Sequence, residues 1–400
     1  MQRAGHHASD RTSGHENDVA RWPAASIRYF PRLPVAILTL SLIVDGVGAT
    51  SPLAAQAGPG IKTTTISGEP TCERCEIERR LLATIHDRSF PGGALVIGGS
   101  VHVNRAGTFL VRAGPRRREL FVADESGAII RQIGRQGEGP GEYLRPLSVH
   151  ELPQAFVVFD PTLGRVTWLA RDNLEVTRTA RMPAVSTGTA PAVFSNGSYV
   201  LRATLPTRSG IGLPLHLVTA DGDVVRSFGQ DSPSAIIAPS GDSAVWAAQV
   251  DRYRVELWHI DGRLLAVLQR EVDWFPSPAD DDSQQAGDLS FRLSGISEDQ
   301  QGRLWVHTSI RTLREVRGVD ATTGQERSVL RLSPDPATAQ EVIEVLDPVT
   351  GVVIASRRIL GSDGIAANGI AAMGGFYQQV HRLGEQGTWL IDIWETRLIF

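Results

Sequence analysis

The chain has 400 residues, 42% of them hydrophobic and 21% charged, with a formal net charge of -4 at pH 7. A balance this mild gives no basis for binding nucleic acid or an anionic membrane surface. Lys62 is the only lysine. Mechanisms that need a Schiff-base lysine or a phosphate-loop lysine are therefore excluded.

The N-terminal segment has the pattern of an export signal. Arg28 and Arg32 precede an apolar run from Leu33 to Val44, and small residues follow as far as Ala55-Gln56-Ala57. A positive flank, an apolar core of about 7–15 residues and an A-x-A ending are typical of a secretory signal peptide, whereas a membrane-spanning helix needs about 20 apolar residues. We assign residues 1–57 to a disordered N-terminus and signal peptide, and expect a secreted or periplasmic protein, free or associated with the cell surface. An uncleaved membrane anchor is the alternative.

The next segment, 58–91, holds the only two cysteines, Cys72 and Cys75. Two nearby thiols tend to pair in an oxidising compartment, so we predict a local disulfide. Redox and metal roles of the C-x-x-C spacing stay open, although a structural zinc site needs about four ligands and no second cysteine pair exists. The stretch from Cys75 to Arg88 is predicted to form one or two short helical turns within a linker.

Beyond Gly92 the pattern is that of an all-β domain over 92–400. Short runs of β-branched and aromatic residues, such as Ala155–Phe159, alternate with turns rich in Gly, Asp, Asn and Pro. No long amphipathic helix interrupts them, which excludes βαβ architectures. A turn ending in Gly or a small polar residue before a strand recurs; if the strand Ala155–Phe159 is included, successive copies lie about 40–60 residues apart, except before the last one. Its copies are Asn104–Val111, Asn196–Leu201, Ser240–Trp246, Asp299–Val306 and Glu385–Ile391.

A second recurring element is a hairpin turn with an acidic residue before Gly. Gly tolerates a positive φ and Asp caps the turn. Two hairpins in a unit of about 45 residues make one four-stranded antiparallel blade, so the sequence predicts a six-bladed β-propeller. A diverged unit or a long insertion is expected near 330–375, where the spacing widens. The copies of the hairpin are Asp124–Gly127, Asp221-Gly222, Asp261-Gly262, Asp320–Gly324 and Asp347–Gly351.

The most distinctive stretch is the glycine-rich loop Ile133–Pro146. A Walker loop would end in Gly-Lys-Ser/Thr, and a dinucleotide fingerprint would open a helix; the loop has neither feature. It resembles the NHL-repeat pattern, in which a glycine-rich segment ending in Phe or Tyr and then Pro introduces the next blade. Val158–Asp160 followed by Gly164–Val166 also resembles the NHL core. The chain more closely resembles secreted bacterial six-bladed β-propeller proteins with a Gly-Glu-Gly-Pro-Gly-Glu loop, and this resemblance implies a fold and little about function.

Four residues are candidate ligand contacts: Arg135, Glu138 and Glu142 in the loop, and Asp160 after it. Asp160 could ligate a cation in the central channel, as acidic residues do in lactonase-type propellers, but we favour a turn in which it accepts backbone amides. Solvated charges explain the three loop residues equally well. The histidines show no metal-ligand spacing, so neither a metal nor a cofactor is predicted. They are His86, His102, His150, His216, His259, His307 and His381.

We therefore expect a monomeric extracytoplasmic binding or scaffold protein that binds a protein, peptide or glycan on a propeller face. We expect it neither to bind nucleic acid nor to insert stably into a membrane. The competing hypothesis is a metal-dependent propeller lyase or lactonase, with acidic and His residues converging in the channel. A third is the ligand-binding subunit of a surface system. Arginines and small polar side chains at the channel would favour binding; three or more converging carboxylates or imidazoles would favour an enzyme.

Overall fold

The structure is a computed structural model that describes the chain from residue 62, with short gaps. No described helix is long and apolar enough to cross a membrane, and helix within the described part is limited to a single 3-10 turn at Asp87–Ser89. The predicted signal peptide lies outside the described residues. These residues are 62–91, 100–104, 107–112, 118–183, 189–203, 206–207, 210–211, 214–229, 235–275, 289–319, 326–332, 339–360, 365–372, 375–384 and 387–400.

The described strands form six four-stranded antiparallel blades in a propeller ring, so the predicted fold class is confirmed. Two strands precede the first blade, β1 (Lys62–Ile66) and β2 (Glu76–His86). In blades 1 to 5 the strands follow in chain order from the inner edge, beside the central channel, to the outer edge.

The first three blades occupy the N-terminal half of the ring. Blade 1 contains β3 (Ser100–Val103), β4 (Phe109–Arg112), β5 (Leu120–Ala123) and β6 (Ile129–Ile133), followed by a short parallel pair, β7 (Arg135–Gln136) and β8 (Glu142–Tyr143). Blade 2 contains β9 (Ser148–Glu151), β10 (Ala155–Asp160), β11 (Arg165–Ala170) and β12 (Val176–Arg181). Blade 3 contains β13 (Ala192–Val193), β14 (Tyr199–Arg202), β17 (Leu215–Val218) and β18 (Val224–Phe228), with an inserted hairpin of β15 (Pro206–Thr207) and β16 (Gly210–Ile211).

The other three blades complete the ring. Blade 4 contains β19 (Ala235–Ser240), β20 (Ala244–Gln249), β21 (Arg254–His259) and β22 (Leu264–Arg270). Blade 5 contains β23 (Leu289–Glu298), β24 (Leu304–Val319), β26 (Gln340–Asp347) and β27 (Val352–Leu360), and β25 (Glu326–Leu332) pairs with the extended end of β24. Blade 6 contains β28 (Ile365–Ala372), β29 (Gly375–Leu383) and β30 (Trp389–Ile399), with β2 as its outer strand.

Blade 6 is closed by the N-terminal strand β2, which pairs antiparallel with β30 from Glu76↔Ile399 to His86↔Leu390. The helical turns predicted between Cys75 and Arg88 are therefore wrong over 76–86. Without β2, the outer edge of β30 would present unpaired backbone N–H and C=O groups along its whole length. Pairing with β2 satisfies these groups and buries apolar side chains such as Ile77 and Ile85. A segment that we assigned to a linker thus ties the two ends of the ring together.

Upstream of β2, the chain follows the outside of the neighbouring blades. β1 pairs in parallel with β22, the outer strand of blade 4. The Thr71 and Cys72 amides then donate to the carbonyl oxygens of Val353 and Ile354 on β27, the outer strand of blade 5. The N-terminal segment therefore contacts blades 4, 5 and 6 in turn.

Six buried apolar clusters hold the ring together, one between each pair of neighbouring blades. Side chains alternate along each strand, so one strand serves two interfaces. In β4, Phe109 and Val111 face blade 6, whereas Leu110 packs with Phe156 of blade 2. This explains why the short strands of the sequence are apolar at successive positions.

The widened spacing that we noted near 330–375 has two causes. β24 continues beyond Ile310 and forms a hairpin with β25, which lengthens blade 5. The last copy of the recurring turn, Glu385–Ile391, joins the second and third strands of its blade rather than the first and second. The insertion thus lies mostly before residue 333.

Candidate functional site

The glycine-rich loop joins the outer strand of blade 1 to the inner strand of blade 2. Gly134 has a φ of 70°, and a Cβ atom there would lie 2.4 Å from the Gly141 carbonyl oxygen. Only glycine fits this close approach, which lets β7 and β8 pair and sets the ring of Tyr143 in the interface between blades 1 and 2. Burial raises the pKa of Tyr143 to about 12.

Two of the predicted contacts in this loop bond to each other. Arg135 Nε donates to Glu142 Oε1 at 2.6 Å, and the Gly139 amide donates to Glu142 Oε2 at 2.8 Å. These two contacts hold the pKa of Glu142 below its usual value. Arg165 also holds the loop, by donating to the backbone oxygens of Glu138 and Glu142. The side chains of Arg135 and Glu138 are exposed.

Asp160, the fourth predicted contact, is 1% exposed. Its Oδ2 accepts the amides of Leu144 and Arg145 at 2.7 and 2.8 Å, and its Oδ1 accepts those of Thr162 and Leu163, each at 3.1 Å. A carboxylate with four amide donors anchors the end of the loop to the end of β10. Ligand binding by any of the four residues stays a prediction.

Cys72 and Cys75 form a disulfide in the structure. The Cys75 amide also donates to the Cys72 carbonyl oxygen at 3.3 Å, which makes the segment a tight turn. This turn lies between the contacts with β27 and the start of β2 and fixes where the closing strand begins.

The connections at the two ends of the blades differ in length. Turns from first to second strand and from third to fourth strand are short, for example 171–175 and 219–223, and lie at one end. The remaining connections lie at the other end, and many are long. We call this end the loop face; its longer connections include 87–99, 134–147, 182–191, 203–214, 271–288 and, with β25 inside it, 320–339.

Arginines stand toward the loop face on the second strand in alternate blades: Arg112 and Arg202 end this strand in blades 1 and 3, and Arg311 in blade 5 follows the part of β24 that pairs with β26. All three are half-buried, and burial lowers the pKa of each guanidinium below its usual value. Arginine nevertheless stays charged at neutral pH. Small polar side chains support two of them, because Arg112 Nε donates to Ser100 Oγ and Arg311 Nε donates to Ser309 Oγ, both at 3.0 Å.

We did not single out these arginines from the sequence, although a signal exists. Phe109-Leu-Val-Arg112 and Tyr199-Val-Leu-Arg202 are the same pattern, an aromatic residue, two aliphatic residues and an arginine, at the same strand of two blades. Repeated arginines at one blade position converge around the axis of a propeller. We missed them because terminal arginines of strands are usually solvated.

His381 lies beside this region, near the loop-face end of β29. It is buried, and neither ring nitrogen has a hydrogen-bond partner among the residues that the structure describes. Burial, and then the charge of Arg112, lower the pKa of His381 to about 4. Its imidazole is therefore neutral at pH 7, with one donor and one acceptor buried near a cationic group.

The other histidines are dispersed as expected. His216 is fully buried and satisfied, with Nδ1 2.7 Å from Ser227 Oγ and Nε2 2.9 Å from the Ala203 carbonyl oxygen. In the described ranges, no three His, Cys, Asp or Glu side chains are grouped so that they could hold a metal ion. The metal-dependent lyase or lactonase stays an untested hypothesis.

Comparisons with known proteins agree with this fold. Residues 103–150, which contain the glycine-rich loop, match a protein family described as "6-bladed beta-propeller". None of the curated proteins matches the chain. The predicted likeness to six-bladed propeller proteins is confirmed.

Solved structures include proteins with a similar fold. A protein of Bacteroides fragilis named as exported has a TM-score of 0.53 at 12% identity, over 85% of this chain and 100% of its own. A member of the duf4221 family from Bacteroides vulgatus has a TM-score of 0.51 at 11% identity, over 81% and 99%. Streptogramin B lyase reaches 0.40 at 12% identity, over 81% and 98%, and that value carries no inference. Identities this low indicate fold alone.

Proposed function

We propose that this chain is an extracytoplasmic binding protein that holds an anionic ligand at the loop face of its propeller. The observation that supports this most is the set of half-buried arginines on blades 1, 3 and 5, Arg112, Arg202 and Arg311. An arginine guanidinium is planar and carries five N–H donors in a fixed fork, which matches carboxylate, sulfate and phosphate groups. The ligand class is therefore a peptide or glycan that carries such groups.

Partial burial strengthens this argument. Charges at a site with reduced water access interact more strongly than charges on an open surface. Burial lowers the pKa of all three guanidinium groups. An incoming anion would offset that desolvation, as Glu341, 3.7 Å from the Arg311 guanidinium, already does in part for Arg311. Three separated cations suit a ligand with several anionic groups better than a single small ion.

The location outside the cytoplasm is supported by three observations. The sequence has a signal-peptide pattern before residue 58. Cys72 and Cys75 are paired, as is usual in oxidising compartments. A protein named as exported shares the fold. Detection of the mature chain in the periplasmic or culture fraction, starting near residue 58, would test this part; full-length protein retained in the membrane would contradict it.

The ligand proposal is tested by fluorescence anisotropy with the chain from residue 58 onward. The probes are a labelled oligoglutamate peptide and a labelled oligogalacturonate, with oligolysine as the cationic control. Replacing all three arginines (Arg112→Gln, Arg202→Gln, Arg311→Gln) should weaken anionic-probe binding at least about 100-fold, because each charge-assisted contact contributes about 1.5 kcal/mol.

A matched control changes the same charge elsewhere. Arg131→Gln, Arg178→Gln and Arg226→Gln together remove three arginines from outer strands and should leave the affinity within about twofold. Equal losses in the two triple variants, or equal binding of oligolysine, would contradict the proposal. Circular dichroism of both variants checks that each is folded.

A further inference from the structure

The interface between blades 5 and 6 has a buried polar layer. Among the residues whose burial the structure describes, the buried members of its apolar cluster are Ile77, Trp305, Ile343, Val345, Ala355 and Phe376. Beside it, on the same face of blade 5, lie His307 and Glu341, which are 1% and 0% exposed, and Gln378 of blade 6 faces them. Burying such groups costs free energy unless they are paired, so this layer calls for an explanation.

Ser294, His307 and Glu341 form a line across this layer. Ser294 Oγ lies 2.6 Å from His307 Nδ1, and His307 Nε2 lies 3.6 Å from Glu341 Oε2. Ser294 is on β23, the inner strand beside the central channel, whereas His307 and Glu341 are on the second and third strands. The order from the channel outward is therefore hydroxyl, imidazole, carboxylate.

A β-bulge places Ser294 at the channel end of this line. The pairing of β23 with β24 shifts between Leu293 and Gly295, so Ser294 is the extra residue. Bulges re-aim side chains and are frequent next to active sites. Ser294 is partly exposed, and its Oγ also lies 3.2 Å from the His307 carbonyl oxygen, so the hydroxyl stays on the histidine side; its single proton can be donated to the nearer Nδ1 or to this oxygen, one at a time.

Glu341 is held as an anion. Burial raises the pKa of Glu341, but the contacts with His307 and Gln378 and the charge of Arg79 together lower it by more than burial raises it. Its pKa therefore lies below the usual value. Gln378 Nε2 donates to the same oxygen, Oε2, that faces the imidazole. His307 Nε2 faces both the Gln378 amide nitrogen at 3.4 Å and Glu341 Oε2 at 3.6 Å. The anionic oxygen favours the tautomer with its proton on Nε2, and this tautomer leaves Nδ1 free to accept the serine proton.

Two other serine–histidine pairs show what is special about this one. His216 Nδ1 lies 2.7 Å from Ser227 Oγ, but its other nitrogen faces a backbone carbonyl. His150 Nε2 lies 3.1 Å from Ser148 Oγ, and burial, together with the nearby His102, lowers the pKa of His150 to about 3. Of these pairs, only Ser294 and His307 are backed by a carboxylate.

We infer that Ser294 is a nucleophile activated by His307, with Glu341 as the orienting carboxylate, and that the chain hydrolyses an ester reached from the central channel. Ser294 Oγ attacks the ester carbonyl carbon as its proton passes to His307 Nδ1, and the proton then leaves with the alkoxide as an alcohol. Water attacks the acyl-serine, His307 takes its proton, and the acid is released as the hydroxyl of Ser294 is restored.

The test is labelling of the folded chain (from residue 58) with a fluorophosphonate, which forms a bond from serine Oγ to phosphorus as fluoride leaves and the proton passes to the base. Peptide mass mapping should find the adduct in the tryptic peptide Leu293–Arg303, and fragmentation should place it on Ser294 rather than Ser297. Ser294→Ala should abolish it. Unfolded protein should not react.

Further variants show whether Ser294 reacts because His307 and Glu341 activate it or only because its hydroxyl is exposed to the reagent. His307→Gln should slow labelling at least about 100-fold, which is the usual contribution of a general base. Glu341→Gln, which keeps the size of the side chain, should slow it with little change in melting temperature. Ser227→Ala is the matched control and should label like the parent chain. An unlabelled Ser294 in the folded parent, or an unchanged rate in both His307→Gln and Glu341→Gln, would overturn the inference. Labelling does not depend on the anionic ligand proposed above.

Discussion

Asp160 provides the sharpest stability prediction, because its four amide bonds are all visible in the structure. Asp160→Ala leaves the amides of Leu144, Arg145, Thr162 and Leu163 without their acceptor. Each bond contributes about 1 kcal/mol net, so the upper figure is about 4 kcal/mol. Since Arg145 and Thr162 are exposed, water can replace part of this, and we expect a loss of about 3 kcal/mol.

The assay is urea unfolding of the chain from residue 58 onward, monitored by far-ultraviolet circular dichroism, with calorimetry for the melting temperature. A loss of about 3 kcal/mol corresponds to a drop in Tm of about 4 °C for a domain of this length. Asp160→Asn should cost nearly as much, because an amide NH2 would face two N–H donors. Asp221→Ala is the control; its side chain is 80% exposed and paired only at the surface with Arg178, so the loss should stay below about 1 kcal/mol. A loss below about 1 kcal/mol for Asp160→Ala would refute the assignment of Asp160 as the anchor of the loop.

Three further predictions concern the ring. A chain starting at Asp87 lacks β2 and should show no cooperative unfolding, since burial of Ile77, Ala83 and Ile85 contributes more than about 5 kcal/mol. The control is a chain starting at Gly68, which lacks only β1 and should still melt cooperatively. Similar melting curves for the two chains would contradict the closure of blade 6 by β2. Gly222→Ala should lower the free energy of unfolding in urea by about 3 kcal/mol or more, because φ is 96° and the new Cβ would lie 1.9 Å from the Arg181 carbonyl oxygen. Gly241→Ala is the control, with φ of 55° and nothing within 4 Å of the new Cβ, and should lower it by about 1 kcal/mol. Equal losses would be inconsistent with the clash at Gly222. Because the pKa of His381 is about 4 in the folded chain and about 6.5 when unfolded, protons bind the unfolded state first as pH falls, so stability should drop by up to about 3 kcal/mol between pH 6.5 and 4. His381→Leu should remove that part of the slope, and an unchanged slope would exclude a buried neutral imidazole.

The repeats predicted the propeller because turn chemistry is local. Asp221-Gly222 and Asp261-Gly262 join third and fourth strands as expected, and the glycine-rich loop joins two blades. What these repeats could not supply was the outer strand of blade 6, which has no hairpin partner nearby in sequence.

The error over 76–86 has a definite physical cause. A bulge shifts the register of β2 between Leu81 and Ala83, so Ile77 faces blade 5 whereas Ile85 faces blade 1. The bulge breaks the alternation that marks a strand, and the Glu, Arg, Leu and Ala content favours a helix. Pairing with β30 overrides that local preference.

The candidate sites were harder to predict than the fold. Charged residues in the distinctive loop, Glu142 above all, bond within the loop. Arg112, Arg202 and Arg311 lie on three alternate blades that are distant in sequence, and the line of Ser294, His307 and Glu341 crosses three strands of blade 5 in a register that a bulge sets. A one-dimensional pattern carries no information on such convergence unless the blades are first aligned strand by strand.

Hydrogen–deuterium exchange of the mature chain with and without a bound anionic probe tests the proposed function most directly. Protection should appear in peptides that contain Arg112, Arg202 and Arg311 and in the connections of the loop face, including 134–147 and 203–214. Turns at the opposite end, such as 171–175 and 219–223, should exchange at the same rate in both states. Protection confined to those turns or to the outer strands would contradict the assignment of the loop face as the binding surface.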